Sequence, residues 1–94
     1  MAREIICRKY TLTGRVQGVG LRYKAHIIAE SLGLTGYVKN SYDGSVILVL
    51  EGTLDQMSEM LVMLGRQSYI EIEGVEYEPM QVQGFRYFEV KSSW

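Results

Sequence analysis

The spacing of apolar residues along the chain changes several times, and each change predicts a new element of secondary structure. Residues 4–13 are rich in β-branched and aromatic types, which is typical of a strand. Residues 21–32 instead repeat their apolar positions at helical spacing. These positions are Leu21, Ala25, Ile28, Ala29 and Leu32. The chain therefore begins with a strand and a helix, and Gly33 stands where a helix commonly ends.

A hairpin is predicted after this helix. Residues 35–40 are strand-like, and the Asp-Gly pair in Tyr42-Asp43-Gly44 is a signal for a tight turn. Residues 45–51 then form the partner strand, with apolar residues on both of its faces. A strand of that kind is expected in the middle of a sheet, where both faces are covered.

A second helix follows the hairpin. Thr53, with Gln56 three positions later, forms a capping box that predicts the start of the helix, and Gly65 is expected to end it. The predicted buried stripe consists of Leu54, Met57, Leu61 and Leu64, with Met60 at its margin. Methionines at helical spacing are typical of irregular core packing, so no metal-binding role is assigned to them.

Two strand-like segments complete the chain, at residues 69–77 and 85–91, around a connection that contains Pro79, the only proline. The predicted order is β-α-β-β-α-β with an extra C-terminal strand. This is the ferredoxin-like α+β arrangement, an antiparallel sheet with two helices on one face. A chain of 94 residues fits a single domain, so residues 1–94 are expected to form one unit.

Charge and cysteine content exclude several classes of function. The formal net charge is −1, whereas a protein built to hold nucleic acid usually carries a strongly basic face. The single cysteine, Cys7, forms no internal disulfide and is expected to pack as a small apolar residue in the first strand. No signal-peptide core and no apolar run of roughly 20 residues is present. We therefore expect a cytoplasmic protein with no membrane partner, and a monomer, since nothing in the sequence requires association.

The segment Gly14–Arg22 is the strongest candidate for chemistry. Its three glycines and terminal arginine lie between the first predicted strand and the first predicted helix. Glycine permits positive φ and close approach of a ligand to the backbone. Successive amides of such a turn and the start of the following helix favour an anion, and an arginine fork suits two phosphate oxygens. The segment therefore predicts a phosphate-binding loop.

Asn40 is a second candidate, at the end of the strand before the hairpin turn. Its amide both donates and accepts hydrogen bonds, so it is able to hold a water molecule in one orientation. The alternative is structural, because an asparagine before an Asp-Gly turn commonly satisfies local backbone groups.

Taken together, the two segments resemble the acylphosphatase family, whose motif joins a phosphate loop and its arginine to a strand that ends in a catalytic asparagine. The matching positions are Gly14, Val16, Gln17, Gly18, Val19, Arg22, Gly36, Val38, Asn40, Asp43 and Gly44. The spacing of eighteen positions between Arg22 and Asn40 also resembles the family, and the likeness extends over nearly the whole chain.

The resemblance implies a hydrolase that splits the carboxyl–phosphate anhydride of small acyl phosphates without a metal or other cofactor. Arg22 and Asn40 are the implied catalytic residues, with Asn40 orienting the attacking water. The implied phosphate-binding residues are Gln17, Gly18, Val19, Gly20, Leu21 and Arg22. Inorganic phosphate is the implied product and an expected inhibitor.

Three positions depart from the family pattern. Leu21 stands where phenylalanine is usual, Lys39 where arginine is common and Tyr37 where tryptophan is common. Each replacement keeps the apolar, positively charged or aromatic character of the position, so the hydrolysis reaction itself is expected to be unaffected. The C-terminal region follows the family more loosely, which leaves the substrate range and the stability open.

Two other functions remain as alternatives. The first is a non-catalytic domain that binds phosphate or an acyl phosphate, and the second is an RNA-binding sheet, which the seven tyrosines bring to mind. Packing in the core or on the sheet is expected to account for most of these tyrosines. His26 and a late group of carboxylates are expected to be solvated rather than catalytic or metal-binding. That group consists of Glu71, Glu73, Glu76 and Glu78.

Overall fold

A computed structural model of the chain describes residues 4–92 and contains the predicted succession of elements. The elements are β1 (Ile6–Arg15), α1 (Leu21–Leu32), β2 (Thr35–Asn40), β3 (Val46–Gly52), α2 (Leu54–Gly65), β4 (Glu71–Met80) and β5 (Phe88–Val90). The ferredoxin-like α+β fold is thereby confirmed, including the extra C-terminal strand. β1 begins and ends two residues later than predicted, so Gly14 belongs to the strand and not to the loop after it.

The strands form one sheet in the order β4-β1-β3-β2-β5, with β3 in the predicted central position. Three of the four pairings are antiparallel, but β5 pairs parallel with β2, so the sheet is mixed. The prediction of an antiparallel sheet is wrong for this pair alone. The chain reverses direction after β4 but joins the opposite edge of the sheet, beside a strand that already runs the same way.

The main core lies between the sheet and the two helices. Its helical part comes from Leu21, Ala25, Ile28 and Ala29 of α1 and from Met57, Met60 and Leu64 of α2. Met60 is fully buried and central, which corrects its predicted place at the margin, whereas Leu61 is only partly buried. The helix is rotated relative to the predicted stripe because the sheet and α1 both pack against it, a contact that periodicity alone does not specify.

Pro79 lies inside β4, opposite Arg8 of β1, and not in the following connection as predicted. β4 is an edge strand, with β1 as its only neighbour in the described sheet. Proline is tolerated there because one side of an edge strand needs no backbone N–H donor. The strand therefore extends to Met80.

The tyrosines are less packed than predicted. Tyr10 is buried, and Tyr77 contacts its ring at a centroid distance of 5.8 Å. Four others are between 48% and 83% exposed, namely Tyr23, Tyr42, Tyr69 and Tyr87. The expectation that packing accounts for most of the seven is therefore wrong.

Residues 81–87, here called the crossing segment, connect the two edges of the sheet across the face that carries no helix. Glu51 of the central strand β3 holds this segment in place. The side chain of Glu51 is almost fully buried. Its carboxylate accepts three backbone hydrogen bonds, from the N–H groups of Gln83 (2.6 Å), Gly84 (2.9 Å) and Phe85 (3.0 Å). Three donors compensate the cost of burying the charge.

Cys7 lies opposite Glu51 in the β1–β3 ladder and is buried, as predicted. Burial first, and then the negative charge and hydrogen bond of Glu51, together raise the pKa of the Cys7 thiol from 9.0 to about 11. A thiol that stays protonated is a weak nucleophile. Cys7 therefore acts as a packing residue.

We predict that Glu51→Gln lowers the free energy of unfolding by at least about 1.5 kcal/mol, because hydrogen bonds to a charged acceptor are worth roughly 1.5–3 kcal/mol each. An amide offers one acceptor oxygen where the carboxylate offers two. Urea denaturation followed by circular dichroism measures the change. The matched control is Glu89→Gln at an exposed position of β5, which should leave the midpoint nearly unchanged. Equal midpoints for the two variants would show that Glu51 does not anchor the crossing segment.

Candidate active site

One pocket of about 350 Å³ brings the two candidate segments together. It lies beside the start of α1, on the side of the sheet where strands β1 and β2 reach their C-terminal ends. The residues that line it are Val16, Gly18, Gly20, Leu21, Arg22, Tyr23, Asn40, Val90 and Ser92. The phosphate loop and the end of the β2 strand, which are separate in the sequence, therefore form a single concavity.

The floor of this pocket is shaped by two glycines in the loop between β1 and α1. Gly18 has φ = 73° and Gly20 has φ = 77°, both in the left-handed region. Side chains other than glycine rarely adopt this conformation. Apart from the glycine itself and its two chain neighbours, no described residue has a heavy atom within 4 Å of where a Cβ would stand on either glycine. The backbone conformation, and not crowding, therefore requires glycine here.

The start of α1 leaves its backbone N–H groups available. Gly20 occupies the N-cap position, so no side chain at that position caps the helix. The first turn of the helix also contains no acidic residue. The first helical hydrogen bond runs from Lys24 N to Gly20 O, so the preceding N–H groups have no intrahelical partner. A helix start of this kind attracts anions.

Arg22 is held in place without being neutralised. One of its terminal nitrogens, Nη1, donates a hydrogen bond of 2.9 Å to the backbone carbonyl of Lys91, just after β5. Within residues 4–92 it forms no ion pair with a carboxylate. Because a guanidinium carries five N–H donors, several remain for a ligand. The contact with Lys91 links two residues 69 positions apart.

The side chain of Asn40 makes no hydrogen bond to the adjacent turn within the described residues. Asp43 closes the turn instead, accepting hydrogen bonds from Ser45 N (2.9 Å) and Ser45 Oγ (2.6 Å). These bonds, the hydroxyl first, lower the pKa of Asp43 below its usual 3.8. The carboxylate therefore supports the turn above that pH and loses this role as the pH falls through the lowered value. Within the described residues the Asn40 carboxamide makes no hydrogen bond, so it is available to a water molecule.

Gln17 has a structural role that the sequence did not predict. Its side-chain nitrogen Nε2 donates to two backbone carbonyls of the hairpin, Ser41 O at 2.5 Å and Ser45 O at 2.8 Å. Gln17 therefore fastens the phosphate loop to the hairpin that carries Asn40. A sequence signal was present only as the match of Gln17 to the family motif, which does not specify what its side chain contacts.

The structure places most, but not all, of the predicted site residues around the pocket. Gly18, Gly20, Leu21, Arg22 and Asn40 line it, whereas Gln17 and Val19 do not. The prediction also missed four lining residues. These are Val16, Tyr23, Val90 and Ser92. Val90 and Ser92 come from the C-terminal region, and the sequence did not predict that this region returns to the pocket.

The matching family model is that of Acylphosphatase, over residues 8–90. The chain belongs to the acylphosphatase family. It is 41% identical over 83 residues to an acylphosphatase of Caldanaerobacter subterraneus, covering 82% of this chain and 91% of the relative. It is also 41% identical over 92 residues to an acylphosphatase of Pseudomonas aeruginosa, covering 97% and 99%. The solved structure of an acylphosphatase from Coxiella burnetii matches with a TM-score of 0.84 at 33% identity, covering 93% of each chain.

Membership of the acylphosphatase family confirms the predicted activity and enzyme class. The protein is a hydrolase whose substrates are acyl phosphates and whose product is inorganic phosphate. The pocket described above is the natural candidate for the acylphosphatase active site, because it contains both halves of the motif.

Other polar groups of the acylphosphatase lie outside this pocket. His26 contacts Glu30 at 3.6 Å and the ring of Phe88 at a centroid distance of 6.3 Å. The four late glutamates are exposed on β4, as predicted. Among residues 4–92, no group of three or more His, Cys, Asp or Glu side chains is placed to hold a metal ion. No described helix has the length and apolar character needed to span a membrane.

We predict that Gln17→Ala lowers the free energy of unfolding by about 1–3 kcal/mol, because it removes two hydrogen bonds between the loop and the hairpin, worth roughly 0.5–1.5 kcal/mol each. The two carbonyls keep only their backbone donors, Gly44 N on Ser41 O and Ser41 N on Ser45 O. Thermal or urea unfolding of the purified variant measures the loss. Gln81→Ala is the matched control, since Gln81 is exposed in the crossing segment. If both variants unfold at the wild-type midpoint, Gln17 does not fasten the loop to the hairpin.

Proposed function

We propose that Arg22 binds the phosphoryl group of an acyl phosphate and that Asn40 orients the water molecule that attacks it. The observation that carries this proposal is the shared pocket, which brings together two side chains eighteen positions apart in the sequence. One is a permanent cation that no carboxylate of the described residues neutralises, and the other is an uncommitted amide. This pair suits binding of a phosphoryl group and activation of water by orientation.

The phosphoryl oxygens are proposed to accept hydrogen bonds from Arg22 and from backbone N–H groups of the loop and first helical turn. The proposed donors are the N–H groups from Gln17 to Arg22. Negative charge is spread over these oxygens in the transition state of phosphoryl transfer. Fixed donors aimed at them lower the barrier, and charge-assisted hydrogen bonds are worth roughly 1.5–3 kcal/mol each.

The reaction then requires little further chemistry from the protein. Water attacks phosphorus, the bond between phosphorus and the acyl oxygen breaks, and the products are a carboxylate and inorganic phosphate. A carboxylate is a good leaving group, so the reaction needs no strong general acid. A donor set of one guanidinium, backbone amides and one carboxamide supports a mechanism that does not depend on a metal. His26, which lies outside the pocket, has no part in it.

Several finer properties stay predictions. We propose small acyl phosphates as substrates, inorganic phosphate as an inhibitor as well as the product, and no nucleic-acid partner. The open pocket and the net charge of −1 support these proposals. A monomeric single domain over residues 1–94 and a cytoplasmic location are likewise predictions that rest on the sequence.

We predict that Arg22→Ala lowers kcat/KM for benzoyl phosphate at least about a hundredfold and weakens binding of inorganic phosphate. Loss of even two charge-assisted bonds accounts for an effect of this size. Steady-state kinetics and a calorimetric phosphate titration measure the two effects. Arg86→Ala is the control, because Arg86 is exposed in the crossing segment and does not line the pocket. Unchanged phosphate affinity in Arg22→Ala would refute the role of Arg22.

We predict that Asn40→Ala lowers kcat by roughly a hundredfold or more while phosphate affinity changes little. Misplacing a reacting group by about 1 Å costs rates of this order, and Asn40 is proposed to contact the water rather than the phosphoryl group. The assay follows benzoyl phosphate in excess chelator, for wild type and variant side by side. Wild-type turnover that disappears in chelator would contradict the metal-independent mechanism. If the wild type binds phosphate stoichiometrically but does not turn over benzoyl phosphate, the non-catalytic alternative is favoured instead.

A further inference from the structure

The active-site pocket opens toward two neighbouring depressions of different chemical character. Asn40 is shared with a depression of about 450 Å³ over the hairpin and the sheet face without helices. Tyr23 and Val90 are shared with a second depression, of about 350 Å³, beside α1. An acyl phosphate is longer than its phosphoryl group, so its acyl part must extend toward one of these openings.

The geometry of phosphoryl transfer selects between them. The attacking and leaving oxygens lie roughly in line on opposite sides of phosphorus. If the water is held at Asn40, the acyl oxygen leaves from the side of the phosphoryl group that faces away from Asn40. That side corresponds to the opening bordered by Tyr23 and Val90, since the other opening is bordered by Asn40 itself.

The two openings also differ in what they would bind. The depression beside Asn40 combines three charged residues with aromatic and apolar ones. Its charged residues are Lys9, Lys39 and Asp43, and the others include Tyr37, Tyr42 and Ile47. The other depression is lined by Tyr23, Val90 and His26, with no permanent charge among them.

Exposed apolar surface borders this second opening. The ring of Tyr23 is 80% exposed, although it is adjacent in sequence to Arg22, and Val90 is 39% exposed. Ile27, four residues after Tyr23 and so on the same face of α1, is 57% exposed. Ligand pockets typically combine such apolar and aromatic surface with a few polar anchors.

We propose that Tyr23 and Val90 form the binding surface for the acyl group and favour aromatic or bulky apolar acyl phosphates over acetyl phosphate. This inference rests on the proposed roles of Arg22 and Asn40, which fix the orientation of the substrate. Tyr23 contributes its ring to the acyl group, while the backbone N–H groups of the same helical turn face the phosphate. Substrate selection and phosphate binding therefore use different atoms of one helix start.

The test compares kcat/KM for benzoyl phosphate and for acetyl phosphate in the wild type, Tyr23→Ala, Tyr23→Phe and Tyr87→Ala. The two substrates differ in intrinsic reactivity, so the quantity compared between proteins is the ratio of the two kcat/KM values. An aromatic contact of ordinary strength predicts that this ratio falls about 3- to 10-fold in Tyr23→Ala. Tyr23→Phe keeps the ring and should keep the wild-type ratio.

Tyr87→Ala removes another exposed tyrosine, which is 65% exposed just before β5 and does not line the pocket. It should leave the ratio unchanged. A ratio in Tyr23→Ala within twofold of wild type would overturn the inference, even while Arg22→Ala and Asn40→Ala behave as proposed. If those two variants retain full activity, the orientation of the substrate fails first, and the inference fails with it.

Discussion

The direction of two strands is the constraint on which the active site depends. β1 and β2 both pair antiparallel with the central strand β3, so they run in the same direction and reach their C-terminal ends on the same side of the sheet. β1 continues there into the phosphate loop and α1, and β2 ends there at Asn40. Gln17 then joins the two by donating to Ser41 O and Ser45 O. Arg22 and Asn40 meet because of this sheet order, and no local contact between their own segments would suffice.

The two helices of this chain begin in opposite ways, and the difference suits the proposed binding of phosphate at the start of α1. α2 starts with Thr53 and Gln56 in a reciprocal capping box and has Asp55 in its first turn. α1 starts at Gly20 in a left-handed conformation, with no acidic residue in its first turn. A side-chain cap is typically worth about 1 kcal/mol, but it occupies N–H groups that a phosphate would need. The start of α1 lacks the stability that such a cap gives. Its uncapped N–H groups create a local positive potential, although the net charge of the protein is −1.

The sequence predicted what local patterns determine. The span of α1, the end of β2 at Asn40 and the capping box of α2 depend on periodicity and on residues a few positions apart, and the structure has them as predicted. What escaped prediction depends on long-range contacts. Gln17 reaches residues 24 and 28 positions away, Val90 joins the pocket only because β5 returns to β2, and Met60 is central because of how α2 rotates against its neighbours.

Selectivity among acyl phosphates has to arise outside the phosphate loop. In the proposed mechanism, Arg22 and the loop amides bind the phosphoryl group, which all acyl phosphates share, and Asn40 orients the water. None of these contacts distinguishes one acyl group from another. Tyr23 buries little of its ring in the protein, so its aromatic surface adds little to the stability of the fold. In the proposed binding mode, the aromatic ring at the rim of the pocket gains its contacts only from a bound acyl group, and such contacts vary with the size and shape of that group.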